Sequence, residues 1–144
     1  MVEEFEQELE KINSPGIKEW CRFHLTELPE HFWTDPASFS GKYHRGESRV
    51  QHIKNACAVG EHLINIMAMT PLEADQTRAA ILLHDGATYN NGGHVNSNHG
   101  EAMAGYLSIE SMGRPTIGDA KWPIVNAVKR HMGWWAVEPV DWRE

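Results

Sequence analysis

The 144-residue chain has no apolar run near the roughly 18 to 20 residues needed to cross a bilayer, and no basic start leading into an apolar segment. A soluble, unsecreted protein is therefore expected, with the cytoplasm as its default location. Cysteine is scarce. Cys21 and Cys57 stand singly in apolar, helix-like surroundings, which reads as two small core residues in a reducing compartment rather than a disulfide. Positive charge is short as well: 13 Lys and Arg against 20 Asp and Glu give a net charge of −7, which disfavours a protein that grips a long nucleic acid through its phosphates. A small anion held by metal ions stays compatible with that balance. Internal repeats and low-complexity tracts are absent, and strand signals are almost so.

What is there is helix, and an excess of nine His and six Trp. The length suits one domain able to bury a single core. "VEEFEQELEKI" is helical with a thin apolar face, and "NSPG" stops it before "IKEWCRFHLTEL" begins a second helix with Trp20, Phe23 and Leu28 near one side. "PEHFWTDPASFSGKYHRGE" reads as a long loop from its prolines, glycines and hydroxyl residues, and long ordered loops tend to be functional. A helix is predicted from Ser48 to about Met69, with His52, Ala56, Val59, Leu63 and Ile66 on its inward face. "TPLE" supplies a capping box for the next helix, whose inward stripe is predicted as Ala74, Thr77, Ile81 and His84. Asn98 and Glu101 can cap a helix carrying Ala102, Met103, Tyr106 and Leu107, with His99 at its start. A last helix is predicted from about Pro123 to Met132, with Ile124, Val128 and His131 aligned before Gly133.

Four helices thus each place one histidine on the side expected to face the others. A lone core histidine is usually a hydrogen-bonded packing residue. Four together, with Asp85 beside one, would need four separate satisfied partners, each otherwise a burial penalty on the order of 1 to 3 kcal/mol. One shared metal centre removes that difficulty. Imidazole suits Mn, Fe, Co, Ni or Zn, and the Asp85 carboxylate can bridge two ions while adding negative charge.

These residues resemble the HD-domain metal-dependent phosphohydrolases, an all-helical family named for its His-Asp pair. His52 in "RVQHIKNA", the pair His84-Asp85 in "LLHD", and the histidines of "HGEAMAGYL" and "VKRHMGWW" carry the likeness over roughly Leu28 to Trp135. "LPEHFWTDPASFSGKYH" looks like the entry segment of a branch close to phage proteins and to the HD part of some exoribonucleases. The resemblance implies an all-α fold over one domain, residues 1–144. Within it, N-terminal helices occupy 1–28, a loop 29–47 and a metal-binding core 48–135. It implies His52, His84 and Asp85 as core ligands, with His99 and His131 available for a second ion. His94, in the glycine-rich loop, competes with His99, and helix register favours His99. His24, His31 and His62 match no motif and are expected at the surface or in packing.

The family usually closes its metal sphere with a later Asp. Asp141 is the only Asp after His131, and Pro139 leaves little room for a helix there, so either Asp141 reaches back or water or substrate takes the position. The implied activity is hydrolysis of a nucleotide or related small phosphate ester or anhydride by a metal-activated water, with one or two divalent transition-metal ions as cofactor. Asp85 and Lys42 are the expected catalytic groups. Lys42, His44 and Lys54 are expected to meet substrate, with Arg45 and Arg49 as weaker candidates. A di-iron oxygenase and a catalytically degenerate ligand-binding module are the alternatives. The sequence is silent on oligomeric state.

Overall fold

Hydroxyl side chains start the three longest helices. Ser14 accepts from the Ile17 amide and opens α2, Pro15–Thr26; Ser48 accepts from Gln51 and opens α3, Arg49–Ile66. Thr70 opens α4, Pro71–Leu83, through the predicted capping box: Glu73 N–H donates to Thr70 Oγ1 at 3.3 Å and Thr70 N–H to Glu73 Oε2 at 2.8 Å. The computed structural model describes residues 1–37, 46–87 and 98–131. Among them the chain also forms the one-turn α1, Glu6–Leu9, then α5, His99–Ser108, and α6, Lys121–Arg130, with short 3-10 turns at Val2–Phe5, Glu30–Trp33 and Gly118–Ala120. The fold is all-helical. Among the described residues the only β feature is an isolated bridge between Pro36 and Ser48, and no helix is long and apolar enough to cross a membrane.

Helix α4 lies at the centre, packed against α2, α3 and α6, while α5 packs along α6. Its apolar residues Ala79, Leu82 and Leu83 join Leu9, Leu25, Ile53, Met103 and Ile124 in one core. Its polar residues each fasten a different neighbour. The Asp75 carboxylate, buried, accepts from the Asn13 and Ser14 amides at 3.0 and 2.8 Å, so it holds the chain just ahead of α2. Arg78 makes a two-pronged pair with Glu61 of α3 at 2.8 and 3.0 Å, and Gln76 donates to the Ala120 carbonyl ahead of α6 at 3.0 Å. Such hydrogen-bonded charges fix register more than they add net stability.

The inward face of α3 lies beside the predicted one. Val50, Ile53, Cys57, Gly60 and Ile64 are buried, whereas Val59, Leu63 and Ile66 are exposed, Ile66 by 80%. This helix carries two apolar stripes, and periodicity alone does not say which one meets the core. His52 and Ala56 lie between them, half-buried. The predicted stripe of α4 is likewise only partly right, since Ala74 is buried but Thr77, Ile81 and His84 are half-buried. In α5 Ala102 is exposed and Asn98 makes no side-chain capping bond.

The segment read as loop contributes to the core. Phe32, in the turn Glu30–Trp33, is fully buried and edge-on to Trp33, and the Arg49 guanidinium lies 5.4 Å from the Phe32 ring centre. Asp35 receives the Arg49 backbone amide at 3.0 Å and its guanidinium at 3.4 Å, which docks the segment on the start of α3. Arg49 is therefore a buried brace rather than an available phosphate contact.

Gly105 marks the free side of α5. A Cβ there meets nothing within 4 Å, so Gly105→Ala is expected to stabilise the chain by up to about 1 kcal/mol through helix propensity, read as a raised midpoint in urea unfolding.

His24 is a packing residue. It is 1% exposed and edge-on to Trp20, Phe23 and Tyr106, and burial, with a smaller push from Arg114, lowers its pKa to about 4. The unfolded chain therefore takes up a proton at His24 between about pH 6.5 and 4 that the folded chain refuses, so this group's contribution to stability is present above pH 6.5 and lost on acidification. Comparing urea unfolding of wild type and His24→Leu from pH 7 to 4 should show wild type losing roughly 2 to 3 kcal/mol relative to the variant.

Candidate metal centre

His84 caps α4 and Asp85 follows in the turn closed by the Gly86 amide on the Leu83 carbonyl at 3.1 Å. Around Asp85 stand His52 from the first turn of α3, His99 from the first residue of α5 and His131 at the end of α6. The two carboxylate oxygens face different pairs. Oδ2 lies 3.6 Å from His52 Nε2 and 3.4 Å from His84 Nε2; Oδ1 lies 3.3 Å from His99 Nε2 and 3.5 Å from His131 Nε2. Among the described residues two His/Asp groups could thus hold a metal ion, His52–His84–Asp85 and Asp85–His99–His131. Asp85 belongs to both.

The helix ends explain why these rings point as they do. Carbonyls of a helix's last turn have no partner inside the helix. His84 Nδ1 donates to the Ile81 carbonyl at 2.7 Å and His131 Nδ1 to the Val128 carbonyl at 2.7 Å. Each bond satisfies an orphan acceptor and, by placing the proton on Nδ1, leaves Nε2 of the neutral ring with a bare lone pair directed at Asp85. A lone pair facing a carboxylate oxygen is repulsive unless a cation lies between them. That cation is either a second proton on the ring or a metal ion, and backbone anchoring of the remote nitrogen is the usual support for a metal-bound histidine. The negative ends of the α4 and α6 dipoles at the same place favour positive charge, against the opposing N-terminus of α5.

The second pair is close enough to share an ion. His99 Nε2 and His131 Nε2 are 2.9 Å apart, whereas two imidazoles at adjacent positions of an octahedral ion, with bonds of about 2.1 Å, stand about 3.0 Å apart. Ring centres repeat the clustering, at 5.6 Å for His52 and His84, 5.0 Å for His84 and His131, and 4.8 Å for His99 and His131.

Burial alone would push the Asp85 carboxyl upward, but hydrogen bonding to His131, His84 and His99 holds it well below the usual carboxylate range. For His84, burial opposes protonation and the bonds to Asp85 and the Ile81 carbonyl favour it; the balance is a raised pKa. The anion is fixed, and the imidazoles compete for what balances it. The donor set, four imidazole nitrogens and one ionised carboxylate, fits a divalent transition metal.

The five ligands expected from the sequence, His52, His84, Asp85, His99 and His131, are the residues the fold brings together. Lys54 stands elsewhere, its ammonium 3.1 Å from Glu4 Oε2 in a surface pair. Lys42, His44, Arg45, His94 and Asp141 lie outside the described residues. His31 pairs with Asp35 at 2.9 Å, and His62 is exposed on α3. Sequence reasoning missed the carbonyls of Ile81 and Val128. Their signal was readable, since both ring-bearing residues follow them by three at a helix end.

No family model, curated protein or solved structure matches this chain.

Proposed function

We propose that this chain is a metal-dependent phosphohydrolase of the HD type, acting on a nucleotide or related small phosphate ester or anhydride. The observation that supports this reading best is the division of four imidazoles between the two oxygens of Asp85, two to each. Two ions held at the two sides of this carboxylate would supply a clamp suited to the oxygens of a phosphoryl group.

His52 and His84 would hold one ion, His99 and His131 the other. Bound there, the ions supply Lewis acidity and a water that ionises near neutral pH. Asp85 sets the spacing of the two positions and offsets their charge. The backbone bonds of His84 and His131 keep their Nε2 atoms turned inward without reorganisation during turnover. Lys42 and His44 are assigned, from the likeness of "SGKYH" alone, to the non-bridging oxygens and the leaving oxygen. Neither Lys54 nor Arg49 is given a role.

The test is a panel of nucleotides and simple phosphate esters, supplied with Mn, Co or Ni and followed by phosphate release, with elemental analysis of the purified chain. Release without oxygen consumption is the expected result, and Lys42→Ala should raise KM several-fold at unchanged metal content. A metal-loaded chain that releases phosphate from none of them would overturn the reading. The nitrogen-rich donor set also suits a pair of irons, so oxygen uptake by an iron-loaded sample would instead support the oxygenase reading. Metal binding with neither activity would support a degenerate binding module.

A further inference from the structure

A cavity of about 350 Å³ lies at the other end of α5 from the candidate metal centre. Leu107, on its lining, is eight residues beyond His99, about 12 Å of helix rise. Alongside Leu107 the lining includes Trp20, His24, Ser111, Arg114 and Lys121. The volume is that of a small-molecule site, and the mixture of apolar walls with a few polar groups is the usual composition of one.

Two of these polar groups are buried without a partner. His24 is 1% exposed and its Nδ1 has no hydrogen bond; Arg114 Nη1 is also buried and unbonded. Lys121 is balanced by Glu110, which lines the same cavity. Arg114 is held by rings instead of a carboxylate, its guanidinium carbon 5.0 Å from the Tyr106 ring centre and 5.9 Å from that of Phe23. Stacked in this way a guanidinium keeps its N–H edge for an oxyanion, which it can take through two parallel bonds. Buried polar atoms in folded proteins are nearly always paired, so two unpaired ones on residues that line the same cavity point to a group that supplies the missing bonds.

We propose that this cavity is a second ligand site, for a small compound with a carboxylate or phosphate head and an apolar body. Arg114 binds the head, His24 completes its hydrogen bonding, and Trp20 with Leu107 covers the body. Before the head binds, His24 is a neutral imidazole, since burial lowers its pKa to about 4. The site is independent of the phosphohydrolase reading, because none of its residues belongs to the Asp85 cluster.

Phenylphosphonate, benzoate and inorganic phosphate, titrated calorimetrically into the metal-loaded full chain and into its Asp85→Asn variant, separate the possibilities. In Asp85→Asn, which lacks the carboxylate common to both candidate metal groups, saturable binding of phenylphosphonate or benzoate at one site is expected, with inorganic phosphate at least tenfold weaker because it leaves the apolar walls uncovered. The tighter of the first two identifies the head group. Arg114→Gln should weaken binding at least tenfold while metal content stays at the wild-type level. Ser111→Phe, which adds bulk at an exposed lining position and removes no core contact, should block the cavity in a chain that keeps Arg114. His84→Ala, which damages the metal centre, should leave binding intact. Absence of saturable binding for all three probes would overturn the proposal. So would binding in the Asp85→Asn background that survives both Arg114→Gln and Ser111→Phe, or benzoate and phenylphosphonate binding that disappears altogether in His84→Ala.

Discussion

On the proposed two-ion reading, Asp85→Asn is expected to strip the chain of metal and to lower phosphate release at least about 1,000-fold, which corresponds to about 4 kcal/mol of barrier. The reason is geometric. Asp85 is the member common to both three-ligand groups, and each of its oxygens faces a different histidine pair. An amide offers one oxygen and turns an N–H edge to the other pair, so one ion loses its anionic ligand and the second meets a donor where it needs an acceptor. Single histidine replacements behave differently: His52→Ala and His84→Ala weaken only the Oδ2 position, and His131→Ala only the Oδ1 position. Elemental analysis after gel filtration should therefore give stoichiometries near two for wild type, near one for the single histidine variants and near zero for Asp85→Asn. His62→Ala, at an exposed position of α3, should match wild type. Full metal content and activity in Asp85→Asn would sink the bridging role, and complete metal loss in every histidine variant would leave a single ion in its place.

Gly100→Ala should be nearly as damaging although Gly100 contributes no ligand atom. A Cβ there would stand 2.9 Å from the Lys129 carbonyl oxygen, 3.0 Å from that of Val128 and 3.2 Å from His131 Nδ1. The first two are backbone atoms of α6 and cannot rotate away, so α5 and α6 must separate. The cost is on the order of 3 kcal/mol, in the range of overpacked cores. Separation also pulls His99 from His131 and disturbs the Val128 carbonyl that orients the His131 ring. The expected outcome is a lowered urea midpoint together with loss of about one metal equivalent, the His52–His84 position being spared. Gly105→Ala on the same helix should do neither. A Gly100→Ala protein with wild-type stability and metal content would show that the two helices tolerate a wider spacing.

The members of the His/Asp cluster were legible in the sequence because all four histidines lie in or next to the first or last turn of a helix, where small errors of register do not change which way the chain turns. For His52 the position along the helix is legible but the face is not. The residue was assigned to an inward stripe with Val59, Leu63 and Ile66, yet those three residues face solvent and His52 reaches the cluster from the border of the true face. Two cues pointed to the true face: Gly60, where a side chain would collide with Ile81, and Cys57, which composition already marked as a core residue. The burial of Phe32 could not be read, since it depends on Arg49 and Asp35 closing around a turn whose residues carry no helical or strand pattern. The partition of Asp85 between two pairs, and the cavity beside Arg114, depend on distances across helices that no spacing along the chain encodes.

The hold of Asp75 on the Asn13 and Ser14 amides has a consequence for synthesis of the chain. The contact spans 62 residues, so at about 5 to 20 residues per second the start of α2 emerges roughly 3 to 12 s before its anchor is made. During that interval α2 carries Trp20 and Leu25 with no central helix to cover them. On the ribosome, the period in which this protein is open to aggregation or chaperone capture is therefore set by how late α4 comes in the sequence.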